Sequence, residues 1–206
     1  MQDPIIEGMK TFQYLRANEM RTMARLVLGA YELAQEPVLW KEHALRGLCG
    51  LVDARAACCS LFRDVRVGGK WTVLSRVDEF SGGGRQARLL SLSGDAEWIE
   101  DPMWEMAGEK GELVTRLRRE VVGDGEWYES AHVKELRRKA GLDDCIYSLF
   151  RLPEQSWAMG LEVHRAWGAK RFGERERVLV HAMHEELGVL YDREAKLAKM
   201  MGRLAT

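Results

Sequence analysis

The chain has 206 residues, 46% of them hydrophobic and 31% charged, with a formal net charge of -1. That is enough for one core-forming domain with appended helices, and it lacks the basic excess of a nucleic-acid-binding surface. No apolar run approaches the ~20 residues of a membrane span, and "MQDPIIEGMK" is not a basic segment followed by an apolar one, so a cytoplasmic chain without a secretory signal is expected.

Residues 18–35, "NEMRTMARLVLGAYELAQ", repeat apolar side chains at helical spacing. Pro37 punctuates, and "VLWKEHALRGLCGLVDA" makes a second helix with Trp40, Leu45, Leu48, Cys49 and Val52 on one side. The period then changes. "RAACCSLFRDVRV" (55–67) and "KWTVLSRVDEF" (70–80) are rich in strand formers, and Gly68-Gly69 between them predicts a hairpin, because both glycines can take positive φ.

"SGGGRQ" (81–86) opens a glycine-rich loop. Its spacing is neither that of a P-loop nor of a dinucleotide site, so a loop over the sheet, able to serve as a lid, is expected. Asp101-Pro102 has the form of an N-cap followed by a first-turn proline, and a helix is expected over 109–122. A short helix over 130–139 follows, with Gly141 as its C-terminal cap. A second β-pair is predicted at 145–153 and 156–167. From Glu174 the chain reads as one helix to nearly its end.

This order predicts an α+β fold: a GAF/PAS-like antiparallel sheet flanked by helices, ending in a long C-terminal helix. The expected division is an N-terminal helical segment (1–36), a sensory domain (37–190) and the end of the terminal helix (191–206). In that helix Val180, Met183, Leu187, Leu190, Leu197, Met201 and Leu204 fall on three- and four-residue steps, broken only by Glu194. Such a seam predicts a homodimer through the helix; the bland alternative is packing on the chain's own sheet.

Three stretches carry a resemblance: "DGEWYES" (124–130), "AGLDDCIYS" (140–148) and "HRAWGAKRFGERERVLVHAMHEEL" (164–187). Together, over roughly 113–190, they resemble the N-terminal sensory region of bacterial LuxR-type transcriptional regulators. The resemblance implies a GAF/PAS-like domain that precedes a linker helix and a DNA-binding helix-turn-helix. No segment of these 206 residues reads as that helix-turn-helix, so DNA contact is expected only through a domain absent from this chain.

The candidate pocket is aromatic. Trp127 and Tyr128, with Trp71, Trp104, Tyr147 and Trp157 on neighbouring elements, can line an apolar cavity, and His132 and Arg151 are candidate polar groups to orient a small-molecule ligand. The alternative is that these aromatics simply fill the core. His181, His184 and Glu185 do not share one helix face, so no metal is expected there. Cys49, Cys58, Cys59 and Cys145 lack CxxC spacing and are expected to be reduced, buried and unreactive. The basic runs "TRLRRE" and "KELRRK" read as solvated helix faces. No catalytic pattern and no cofactor motif is present, which favours a sensory module over an enzyme. The other open reading is a ligand-free interaction or dimerisation module.

Overall fold

The computed structural model describes residues 15–63, 72–81, 101, 103, 106, 112–152 and 157–204, with side chains as far as Met200. Two helices come first, α1 (Ala17–Glu32) and α2 (Pro37–Val52), followed by the strands β1 (Ala56–Arg63) and β2 (Thr72–Phe80). Next come β3 (Leu113–Leu117) and the short helices α3 (Arg118–Val121) and α4 (Asp124–Glu129). A π-helical turn (Val133–Arg137) then runs into α5 (Arg138–Ala140). The strands β4 (Leu142–Arg151) and β5 (Ala158–Ala166) precede α6 (Glu174–Glu186) and α7 (Gly188–Leu204).

All pairings are antiparallel and the strand order is β2-β1-β5-β4-β3. Both predicted strand pairs form, β1 with β2 and β4 with β5, while Gly68-Gly69 lies outside the described residues. Gly141 sits at φ 72°, the left-handed position expected of a helix cap. The expected helix over 109–122 does not form as one. Residues 113–117 instead pair with 146–150 as β3, and only Arg118–Val121 is helical. The β-branched pair Val114-Thr115 suits a strand, and the open edge of β4 supplies the hydrogen bonds, so tertiary pairing overrides a weak local preference.

Period-two alternation divides the sheet between two cores. Ala57, Cys59 and Leu61 of β1, Ile146 of β4, and Met159, Leu161 and Val163 of β5 face the long helices. There they meet Trp40, Leu45 and Leu48 of α2 and Leu179, Val180 and Met183 of α6. Phe62, Val114, Cys145, Tyr147 and Leu149 face the other way, toward Met103, Met106, Trp127 and Val133. The expected divisions at 36/37 and 190/191 are not breaks in packing, since Leu15, Ala30 and Tyr191 share the first core with the sheet.

The dimer seam is corrected by the same core. Val180, Met183, Leu187 and Leu190 are buried within the single chain, so they cannot meet a second one. The helix is also interrupted at Leu187, between α6 and α7. Its 3-4 spacing reflects an apolar face laid on the sheet. Leu197 is exposed, while the Met201 and Leu204 side chains lie outside those described. The break in the pattern, Glu194, is an inward residue: its carboxylate meets Lys41 of α2 and Ser75 of β2.

Candidate ligand site on the polar face of the sheet

Antiparallel register sets side chains in rows across a sheet, and two rows cross the middle of the face turned away from the long helices. Asp78, Cys58, Glu162, Tyr147 and Arg116 stand opposite one another from β2 to β3. Arg76, Ser60, Gly160, Leu149 and Val114 form the next row. Gly160 is required there because a Cβ would come within 2.6 Å of the Phe62 ring, which lies over the strand.

Arg137, on the π-helical turn, ties this face to the segments above it. Its Nη2 donates to Asp101 Oδ2 at 2.8 Å and to the Tyr147 hydroxyl, which itself donates to Asp101. Its Nη1 donates to His164 Nδ1 at 2.8 Å, and its guanidinium lies 4.8 Å from the Trp127 ring centre. His132 Nε2 stands 3.2 Å from the same Asp101 oxygen, and the other oxygen accepts the Met103 backbone N–H at 3.0 Å. Every one of these residues is buried. Burial pulls the Asp101 carboxyl up, but the His132 and Arg137 charges outweigh it and hold the group well below the usual carboxylate range.

A guanidinium has donors only, so His164 Nδ1 must offer its lone pair and the ring proton sits on Nε2. Burial, with the Arg137 charge beside it, drives the His164 pKa down to about 4, and the ring is neutral at pH 7. Its Nε2 faces Glu162 Oε2 at 3.5 Å, and the Cys58 thiol donates to that oxygen at 3.2 Å. Burial pulls the Glu162 carboxyl up. The His164 hydrogen bond and the nearby Arg76 charge outweigh this and bring it to about 2, so Glu162 is ionised.

Cys58, Glu162 and His164 place one donor atom each within 4.8 Å of one another, a spacing that a tetrahedral ion could bridge. The hydrogen bonds decide against it. An ion needs the Nε2 lone pair, which here carries the proton, and metal-bound histidines hand their other nitrogen to a carboxylate or carbonyl rather than to a guanidinium. Cys58 is no nucleophile as it stands, because burial pushes its thiol well up, with Glu162 and Asp78 adding to burial against the pull of Arg76.

Beside this cluster lies a shallow recess lined by Phe62, Met103, Met106, Tyr147, Leu149, Gly160 and Glu162, with about 300 Å³ of non-atom space that includes open solvent at its mouth. Of the expected pocket residues, Tyr147 lines the recess, while Trp127 and His132 stand behind it around Arg137. Tyr128 is half-buried, donates to Asp143 at 2.9 Å and packs edge-on to Trp167. Arg151 stands at the end of β4 opposite Ala158, away from the lining. Trp157 is corrected to the other side of the sheet, against the long-helix core. Trp71, Trp104 and the loop 82–86 lie outside the described residues.

Sequence reasoning missed Asp101, Arg137, Glu162 and His164. Glu162 and His164 were detectable: they alternate with Leu161 and Val163 on a strand whose neighbours leave it no solvent-facing side. Arg137 was read with its run as solvated. The structure keeps that reading for Lys134 and Lys139, paired with Glu129 and Glu135 at the surface, and corrects it for Arg137. Arg118 of the other run is corrected likewise, buried against Asp144 and Asp124.

A second polar chain lies on the opposite face. His184 Nδ1 meets Ser148 Oγ at 2.7 Å, Ser148 meets Thr115 Oγ1 at 2.6 Å, and Thr115 meets His181 Nδ1 at 2.9 Å. The two histidines are thus tied separately to β4 and β3. All four cysteines are free and buried.

No protein-family model matches the chain, and no curated protein matches it in sequence. Solved structures do. The GAF domain of a putative sensor histidine kinase from Pseudomonas syringae pv. tomato is similar at TM-score 0.52 and 12% identity, over 98% of this chain and 99% of that one. The VqsR LBD domain from Pseudomonas aeruginosa is similar at TM-score 0.59 and 12% identity, over 88% and 97%. The phycoerythrobilin-bound GAF domain of a cyanobacterial phytochrome is similar at TM-score 0.55 and 12% identity, over 89% and 100%. Identity at this level speaks for architecture alone: the chain has the α+β fold of a GAF-like domain.

Proposed function

We propose that this chain is a sensory domain that takes a small molecule into the recess over β1, β4 and β5, in the setting of a LuxR-type transcriptional regulator. The observation that carries this reading is the buried cluster of Asp101, His132, Arg137 and Tyr147 beside an apolar recess. Buried ion pairs are weak contributors to stability compared with well-packed apolar groups, so their retention beside a cavity favours recognition. The phycoerythrobilin-bound neighbour is a case of a ligand held by the same fold.

The signalling route follows from one strand. Tyr147 and Leu149 of β4 border the recess, while Ser148 between them bonds His184 of α6. A ligand that prefers one position of β4 therefore biases α6 and α7, a shift of population rather than a new contact. The partner is a second copy, meeting the exposed side of α7 at Val189, Leu197 and Met200. That same exposed side favours the second reading, a ligand-free dimerisation or interaction module.

Methionine-methyl NMR separates the two readings. Toluene at millimolar concentration is expected to shift the Met103 and Met106 methyl signals and to slow amide exchange in α6. Leu149→Trp, which fills the recess, is expected to abolish both responses. Methyl signals that ignore toluene would leave the interaction module as the function.

A further inference from the structure

Two guanidiniums on the recess side of the sheet each meet an aspartate. Arg76 Nε lies 2.8 Å from Asp78 Oδ1, and Arg137 Nη2 lies 2.8 Å from Asp101 Oδ2. Glu162 has no guanidinium of its own: it feels the Arg76 charge, which it shares with Asp78, and the groups directed at its Oε2 are the neutral His164 ring and the Cys58 thiol. Yet Glu162 is the charged residue of the lining, and its side chain is 14% exposed.

Among the described residues the rest of the wall is apolar or already engaged. Phe62, Met103, Met106 and Leu149 offer rings, thioethers and methyls, and the Tyr147 hydroxyl is used by Asp101 and Arg137. A carboxylate in such a setting repels an anion and gains little from a hydrocarbon. A protonated nitrogen meets the charge, and aromatic faces favour a cation beside them. We propose, building on the sensory reading above, that the recess selects a cationic ligand: an amine, amidine or guanidine on a small apolar body, its nitrogen on Glu162 and its body against Phe62, Met103 and Met106.

The test compares three probes of one shape on the full chain: benzylamine, toluene and benzoate, each titrated against the Met103 and Met106 methyl signals. Benzylamine is expected to bind at least tenfold more tightly than either of the others. Glu162→Gln is expected to bring benzylamine down to the level of toluene while leaving the toluene response in place, which shows that the variant is folded. Should that variant not fold, the order of the three probes on the unaltered chain decides alone. Benzoate binding as well as benzylamine, or benzylamine binding no better than toluene, overturns the cation preference and leaves the sensory reading standing. Silence of both methyls toward all three probes overturns both.

Discussion

Lys41 of α2 and Glu194 of α7 meet at 2.6 Å, with Lys41 fully buried and Ser75 Oγ 2.9 Å from the same carboxylate oxygen. The residue that spoils the apolar spacing of the terminal helix is therefore the one that fastens it to the helical layer and to β2. Removing one partner of a buried pair strands the other. Glu194→Ala is expected to cost about 3–5 kcal/mol in urea unfolding, whereas Lys41→Met with Glu194→Leu recovers most of that loss. A single variant within 1 kcal/mol of the parent would mean that Lys41 has another partner.

Two classes of substitution along α6, α7 and the break between them behave differently. Leu187→Ala opens a cavity in the core and is expected to destabilise by about 2–5 kcal/mol with no change of mass in solution. Val189→Asp and Met200→Asp change exposed positions, so they are expected to leave the melting temperature nearly unaltered and to turn a dimer into a monomer by light scattering. A parent chain that is monomeric at every concentration would remove the dimer from the proposal.

Acid is expected to destabilise the fold earlier than its carboxylates alone would. Burial drives His184 down to about 3 and, with Arg137, His164 down to about 4. Both groups bind their proton more weakly when folded than when unfolded, so the unfolded chain gains protons first. Stability should fall as pH drops below about 6.5, by roughly 1.4 kcal/mol per histidine per pH unit until each folded pKa is passed. Chemical melts at pH 7.5, 6 and 5 check this, and the slope should roughly halve in His184→Asn. A flat profile between pH 7 and 5 would show that neither ring is held neutral.

Ser148 joins His184 to Thr115. Ser148→Ala leaves His184 Nδ1 without its partner and is expected to cost about 1–3 kcal/mol. Under the proposed signalling route it also uncouples the recess from α6: toluene still shifts the Met103 methyl signal, but amide exchange in α6 no longer slows. A response identical to the parent's would place the coupling elsewhere.

Both strand pairs, the two opening helices and the cap at Gly141 were legible in the sequence, because each depends on residues close together in the chain. The segment 113–117 was not, since Leu113-Val114-Thr115 tolerates either period and only the free edge of β4 made it a strand. The terminal helix shows the same limit in another form. Its 3-4 spacing correctly marked an apolar face, yet spacing cannot say whether a second chain or the chain's own sheet covers that face.

The site divides along the same line. Local chemistry marked Trp127, Tyr147 and His132 as unusual, and strand period determined that Glu162 and His164 share a face. Tertiary structure alone brought Asp101 to Arg137 across 36 residues and set Arg137 on His164 rather than in solvent. Register decided which side chains stand in one row, and burial then made their pairing obligatory, because a charge taken from water must find a partner wherever the fold places one.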